Sequence, residues 1–264
     1  GTPLTRALGE AAAGDAGYAR AVRPRRFRFP ADHGPHPDYR DEWWYFTGNL
    51  QDASGRRFGY ELTIFRVALS PTPRGGRSAW GTRQMYMAHF AVTDVAGNAF
   101  HAWQRFSRGG EIGLAGAAAS PFHVWLDDWS AATAGRDATF PVRLHATKDG
   151  YAIDLTLQQG KPIVLEGDHG LSRKSGAPGN ASYYYSLTRM PTRGVVRLQG
   201  RDFDVRGDSW MDREWSTSAL GPGQSGWDWF ARQLQDDREI MYYRLRDKDG
   251  GGDPYSGGTL VLPD

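Results

Sequence analysis

The segment Ser209–Trp215 combines residue types that can hold and donate a proton. Its sequence predicts an extended strand in which Trp210, Asp212 and Glu214 point to the same face, because successive side chains of a strand alternate. A carboxylate between indole rings, with a second carboxylate one pleat away, should hold its proton more tightly through desolvation and like-charge repulsion. We therefore interpret Asp212 as a candidate proton donor, with Glu214 beside it.

The same carboxylates have a second interpretation. The group 212–214 could form a satisfied ion-pair network with Arg66 or Arg189 where two domains meet. Tyr183 and Tyr185 share one face of another predicted strand, and their hydroxyl groups and rings would add to a cavity, although core packing explains them nearly as well. The residues alone leave both interpretations open.

Two other polar motifs are not expected to form sites. His33 and His36 could bind a metal if a helix placed both rings on one side, but the prolines of the segment 30–37 prevent that helix. The run 207–209, Gly-Asp-Ser, resembles the nucleophile segment of one hydrolase family, but it lacks the strand-to-helix turn that such a serine needs. We therefore expect no metal, no other cofactor and no serine hydrolase.

The composition favours a protein built from short strands and tight turns. The chain has 264 residues, with 34 Gly, 15 Pro and 13% aromatic residues, and its apolar residues recur with a period of two. Roughly ten antiparallel strands at steady spacing are typical of a barrel or a two-sheet sandwich. The formal net charge of +2 gives no indication of a nucleic-acid partner.

The aromatic run Glu42–Leu50 returns later in the chain, which indicates an internal repeat. An offset of 184 positions takes residue 43 to residue 227 and gives six identities or aromatic matches within ten positions. The matches are Trp43 with Trp227, Tyr45 with Trp229, Phe46 with Phe230, Leu50 with Leu234, Gln51 with Gln235 and Asp52 with Asp236.

The repeat predicts two homologous β domains in tandem. We expect an N-terminal arm over residues 1–23, a first domain over 24–216 and the opening strands of a second domain over 217–264. Because that last segment is too short to close a barrel, we expect that the chain is a fragment or that another polypeptide supplies the missing strands. Exposed strand edges also lead us to expect self-association.

Four motifs together resemble the AttH-like family, which includes the bacterial carotenoid 1,2-hydratases and a branch of predicted secreted hydrolases. They are Asp32–His36, Glu42–Gly48, Ser209–Trp215 and Gly226–Phe230. The resemblance extends from about residue 24 to the end of the chain, and it is closer to the predicted-hydrolase branch than to the carotenoid enzymes.

The resemblance implies an all-β fold of two lipocalin-like domains with a cavity for an apolar ligand. In the hydratases an Asp protonates an isolated double bond, so the resemblance implies that Asp212 is the donor and that Trp210, Tyr183 and Tyr185 are its neighbours. The aromatic side chains expected to bind the ligand are Trp44, Phe46, Trp210, Trp215, Trp227 and Trp229.

Three functions follow as expectations. The first is a hydro-lyase that adds water to an isoprenoid or lipid double bond. The second is a non-catalytic carrier of such a ligand that serves an envelope ABC transporter, and the third is a pericyclic enzyme of the Diels-Alder type that only folds its substrate. The resemblance also implies a periplasmic or secreted protein, or one processed from a lipoprotein, whose partner is an apolar small molecule. We expect no nucleic-acid partner.

Overall fold

A computed structural model describes residues 16–71, 84–109, 113–218, 220–221 and 223–263. Most of the expected N-terminal arm, residues 1–15, lies outside the described part of the chain. Within the described ranges the structure contains one short 3-10 helix, Ala31–His33, and otherwise strands and their connections. None of the described helices is long and apolar enough to cross a membrane.

Sixteen strands follow one another in the described residues. Their bounds are β1 Asp41–Gln51, β2 Arg57–Ala68, β3 Gln84–Asp94, β4 Ala99–Arg108, β5 Ala115–Ala119, β6 Phe122–Leu126, β7 Trp129–Thr133, β8 Val142–Lys148, β9 Tyr151–Leu157, β10 Val164–Leu165, β11 Leu171–Arg173, β12 Ala181–Leu198, β13 Arg201–Ser216, β14 Gln224–Gln233, β15 Glu239–Asp247 and β16 Gly257–Val261.

The first thirteen strands form one antiparallel sheet, which we call the main sheet. Its order is β4-β3-β2-β1-β13-β12-β9-β8-β7-β6-β5, with β10 and β11 paired to β12. The sheet curls until β4 meets the far end, where Arg105 of β4 pairs with Asp128 and Trp103 donates to Asp149 at 3.0 Å. The predicted all-β fold is therefore confirmed, and the main sheet is a nearly closed barrel.

Strand β1 is buried on both faces because it carries large apolar residues at odd and even positions. Trp44 and Phe46 point into the barrel, where they join a continuous core with Leu62 and Ile64 of β2. Trp43 and Tyr45 point to the outside of the barrel. The outer face of β1 is therefore a second packing surface rather than a solvated one.

Strands β14, β15 and β16 form a separate three-stranded antiparallel sheet, which we call the second sheet. Its aromatic side chains pack on the outer face of β1: Trp43 stacks on Trp227 at 6.2 Å between ring centroids, and Tyr45 meets Trp229 edge-on at 5.2 Å. Two of the six matched pairs of the repeat thus contact one another across the interface. The division into two domains near residue 216 stays a prediction.

A buried ion-pair network fixes the proline-rich loop and the first strands. Glu42 of β1 is fully buried and accepts hydrogen bonds from Arg66 of β2 and Arg213 of β13. Arg213 also donates to the carbonyl of Gly34 at 2.5 Å, which ties the loop to the barrel wall. Burial alone would raise the pKa of Glu42, but the two guanidinium groups hold it well below its usual range.

Candidate functional site

A cavity of about 210 Å³ lies between the main sheet and the second sheet. The second sheet contributes aromatic and aliphatic side chains, whereas the main sheet contributes both aromatic rings and polar groups. The lining residues are Trp43, Tyr45, Glu61, Thr63, Phe65, Lys174, Tyr184, Asp212 and Glu214 from the main sheet and its loops, and Trp227, Trp229, Tyr243 and Leu245 from the second sheet.

Asp212 lies in this cavity wall at the point where β13 pairs with β1 and β12. Its Cα is paired with that of Tyr45 on one side and that of Ser186 on the other. Its Oδ1 accepts hydrogen bonds from Ser186 Oγ at 2.6 Å and from Trp210 Nε1 at 2.7 Å. Both donors are neutral, so they orient the carboxyl group without supplying a compensating charge.

The environment of Asp212 favours its neutral form. The pKa of Asp212 is raised to about 7, chiefly by burial and in part by the nearby Glu166 carboxyl, although hydrogen bonds from Ser186 and Trp210 lower it in part. None of the ion pairs found among the described residues joins an arginine to Asp212. A carboxylic acid with this pKa can deliver a proton at neutral pH.

A second carboxyl group, Glu166, lies behind Asp212. Ser186 Oγ is 2.8 Å from Glu166 Oε1, and Thr259 of β16 donates to Glu166 Oε2. Burial raises the pKa of Glu166, although hydrogen bonds from Thr259 and Ser186 lower it in part. Glu166 therefore shares with Asp212 both a hydroxyl partner and a raised pKa.

The polar end of the cavity is a satisfied ion pair. Lys174 Nζ lies 3.0 Å from Glu214 Oε1 and donates to Ser172 Oγ at 3.1 Å, and Ser182 donates to the same Glu214 oxygen. The Lys174 ammonium also lies 4.7 Å from the centroid of the Tyr243 ring, within the range of a cation–π contact. This end of the cavity is charged, whereas the Asp212 end is neutral and aromatic.

The structure brings together five of the residues predicted for the site. Asp212, Glu214, Trp227 and Trp229 line the cavity, and Trp210 donates to Asp212 and meets Trp229 edge-on at 6.2 Å. The expected alternation along β13 is therefore present. The predicted ion-pair network is only partly present, because Glu214 pairs with Lys174 and not with an arginine.

The other five predicted residues do not reach the cavity. Trp44 and Phe46 lie in the barrel core, and Tyr183, Tyr185 and Trp215 lie on the opposite face of the sheet, under the N-terminal segment. Both errors have the same physical cause: β1, β12 and β13 carry aromatic residues on both faces, so alternation alone could not say which face meets the second sheet.

Three aromatic residues that the sequence reasoning missed take their places. Tyr184 lies in the cavity wall, where its hydroxyl accepts from Trp229 Nε1 at 3.3 Å, and Trp43 and Tyr45 form the wall from β1. Trp43 and Tyr45 belong to the internal repeat, but the repeat did not indicate that they line a site. No motif in the sequence indicated Tyr184, Ser186 or Glu166.

The two histidines of the proline-rich loop have structural partners. His33 Nδ1 lies 2.6 Å from the Tyr185 hydroxyl, and burial lowers the pKa of His33 to about 4. His36 stacks on Trp215 at 3.7 Å between ring centroids. Across the described ranges, no group of three or more His, Asp or Glu side chains is placed to hold a metal ion. That no metal is needed stays a prediction.

A sequence model of the AttH-like family matches residues 20–264. The chain belongs to the AttH-like family. A crystal structure of a protein from Nitrosomonas europaea assigned to AttH is 31% identical, with a TM-score of 0.78, and the match covers 93% of this chain and 75% of that chain. A search of the curated proteins finds no significant match.

Two more distant crystal structures share the fold. Kievitone hydratase from Nectria haematococca is 13% identical, with a TM-score of 0.62, and the match covers 93% of this chain and 72% of that chain. CghA is 14% identical, with a TM-score of 0.52, and the match covers 94% of this chain and 66% of that chain. At these identities the likeness shows the lipocalin-like fold alone.

Proposed function

We propose that this AttH-like protein binds an apolar isoprenoid or lipid ligand between its two sheets and adds water to an isolated double bond of that ligand. The observation that carries the proposal is Asp212, a buried carboxyl with a pKa raised to about 7 in the wall of an aromatic cavity. A merely structural buried carboxylate is usually paired with a cation, whereas Asp212 is held by two neutral donors.

The proposed reaction consists of proton transfer to the double bond, formation of a carbocation and attack by water. The Asp212 carboxyl gives its proton to one carbon of the double bond, and the π electrons form the new C–H bond. The faces of Trp43, Trp227 and Trp229 lie around the cavity and would stabilise the tertiary cation that remains. Water then attacks the cation and releases one proton, so that one water molecule is added and no proton is consumed.

The fold is compatible with this chemistry. Kievitone hydratase, by its name a hydratase, shares the architecture. The charged end of the cavity, formed by Lys174 and Glu214, would suit a polar end of the ligand and fix which way round it lies. We therefore expect an amphipathic ligand with its double bond near Asp212.

The test begins with mass spectrometry of apolar compounds that copurify with the protein. The ligand found in this way is incubated with the wild type in deuterated water. The expected product is heavier by one water, with deuterium on carbon. Asp212→Asn keeps the shape but removes the transferable proton, so turnover should fall by a factor of about a hundred or more, the usual scale of general acid catalysis, while ligand affinity barely changes.

Asp208→Asn is the matched control. Asp208 lies on the same strand and, by alternation, on the same face, but it is partly exposed and does not line the cavity. Its turnover should equal that of the wild type. If the wild type returns the ligand unchanged, the protein is a carrier or a pericyclic enzyme instead. If Asp212→Asn is fully active, Asp212 is not the acid. Association with an ABC transporter and a periplasmic or secreted location stay predictions.

A further inference from the structure

Ser186 lies between two carboxyl groups, and its hydrogen bonds can be counted. Its Oγ is 2.6 Å from Asp212 Oδ1 and 2.8 Å from Glu166 Oε1, and both distances are those of full O–H···O hydrogen bonds. Each of the two contacts needs a hydrogen atom, but a serine hydroxyl carries one. The second hydrogen must therefore come from a carboxyl group.

This count places a proton on the Asp212 and Glu166 pair. If both groups were ionised, one of the two contacts would bring an acceptor against an acceptor in a buried site, which costs free energy. In one arrangement Glu166 donates to Ser186, which donates to Asp212. In the other, Asp212 donates to Ser186, which donates to Glu166. The two arrangements differ only in the positions of two hydrogen atoms, one in each hydrogen bond of Ser186.

We propose that Glu166 is a proton reservoir that supplies Asp212 with its proton through Ser186. This inference rests on the proposed function of Asp212 as the acid. Glu166 does not line the cavity, whereas Asp212 does, so Glu166 acts through Asp212 and is a positioning and relay residue rather than a catalytic one.

The transfer is balanced. The pair begins with its one proton on Glu166. The Glu166 O–H bond breaks towards Ser186 Oγ as the Ser186 O–H bond breaks towards Asp212 Oδ1, which leaves Asp212 neutral, Ser186 unchanged and Glu166 a carboxylate. Asp212 then gives the proton to the ligand, and the proton that the attacking water releases returns to the pair, so each cycle adds one water molecule and leaves the protein as it began.

Neutral donors hold the oxygens of the pair. Thr259 of β16 donates to the far oxygen of Glu166, and Trp210 donates to Asp212. The titratable groups facing the pair are the hydroxyls of Tyr45 and Tyr184 and the ion pair of Glu214 with Lys174. The pKa values of both carboxyls are raised, first by burial and then in part by the negative charge of a neighbour, as expected for two groups that share a proton.

Infrared spectroscopy can test the relay without a known ligand, because a protonated carboxyl has its own carbonyl band that shifts in deuterated water. At pH 7 the wild type should show such a band, and both Glu166→Gln and Asp212→Asn should lose it. Ser186→Ala should move or abolish the band. Ser186→Thr keeps a hydroxyl at this position and should preserve it, which separates the relay from general damage to the fold.

Ser182→Ala is the matched control. Ser182 lies on the same strand and donates to Glu214, so the variant removes another serine-to-carboxylate bond from the same cavity. It should leave the band unchanged. A band that Asp212→Asn removes but that Glu166→Gln and Ser186→Ala leave intact would overturn the relay while the acid role of Asp212 stands. A band that depends on all three residues, without turnover of the copurified ligand, would support the shared proton and reject the proposed function.

Discussion

The sequence indicates that Asp212 could donate a proton, but it does not indicate which residues form hydrogen bonds around it. The alternation of Trp210, Asp212 and Glu214 predicted a carboxyl group among indoles with a raised pKa, and its pKa is raised to about 7. The partners Ser186 and Glu166 come from β12 and from the turn that follows β10. They are far away in sequence and carry no motif, so only the sheet pairing reveals them.

The raised pKa of Asp212 predicts a pH-dependent stability difference. The unfolded carboxyl titrates near 3.8 and the folded one near 7. Between these values the native state binds more protons, so the contribution of Asp212 is fully present below pH 3.8 and is lost as the pH rises to about 7. Asp212→Asn has no such titration. Relative to the wild type, its free energy of unfolding should rise over that window, by about 4 kcal/mol at most, since one pKa unit is about 1.4 kcal/mol.

Urea denaturation of both proteins at several pH values between 4 and 8 measures this difference. Asp208→Asn, at a partly exposed position of the same strand, serves as the control and should follow the wild type. A stability difference between Asp212→Asn and the wild type that stays flat across the window would mean that Asp212 titrates like a free aspartate.

At the scale of the strand, neighbouring tyrosines of β12 point to opposite faces of the sheet. Tyr184 faces the cavity, whereas Tyr185 faces the proline-rich loop, where its hydroxyl meets His33. We predict that Tyr184→Phe changes ligand affinity with little effect on stability. Tyr185→Phe leaves His33 without its buried partner and should cost about 1–3 kcal/mol of stability without changing ligand affinity. Ligand titration and urea unfolding of the two variants would show the reverse pattern if the face assignment were wrong.

The ion-pair network that joins β1, β2 and β13 predicts a large loss of stability when its central carboxylate is replaced by an uncharged amide. Glu42→Gln leaves Arg66 and Arg213 as buried guanidinium groups without their carboxylate, so stability should fall by about 3–5 kcal/mol. Asp154→Asn breaks a pair with Arg143 that is about half exposed and should cost less than about 1 kcal/mol. Equal losses in the two variants, measured by urea denaturation, would contradict the structural role of the network.

The sequence identified the aromatic strands but not which face of each strand lies where. A period of two predicted β1, β12 and β13, yet each carries large apolar residues on both faces. For this reason five residues predicted for the site lie outside the cavity between the sheets: Trp44, Phe46, Tyr183, Tyr185 and Trp215. A strand that packs on a barrel core and on a second sheet has no polar face to mark its orientation.

At the scale of the whole molecule, the cavity lies where two matched pairs of the repeat meet. Trp43 contacts Trp227 and Tyr45 contacts Trp229. A third matched pair stays apart, because Phe46 lies in the barrel core and Phe230 is exposed on the second sheet. The repeat therefore did not predict that the cavity lies between the sheets.

The outward face of the second sheet predicts self-association. Phe230, Tyr242 and Leu260 lie on the side away from the cavity and are 40% to 54% exposed, and the rings of Phe230 and Tyr242 are 5.7 Å apart. We expect a second copy of the chain to cover this face, because exposed apolar strands pair readily. Sedimentation velocity should show a concentration-dependent dimer that Phe230→Ser combined with Leu260→Ser weakens. A strict monomer at high concentration would contradict this expectation.

The central claim is that Asp212 keeps its proton near neutral pH inside the aromatic cavity. Carbon-13 NMR of protein labelled at the aspartate carboxyl carbons, with Asp212 assigned by its absence from Asp212→Asn, measures that proton directly. We predict a titration midpoint near pH 7 for the Asp212 carboxyl. A midpoint near 4, the value of a free aspartate, would show an ionised group that cannot donate a proton at neutral pH, and it would contradict the proposed hydration.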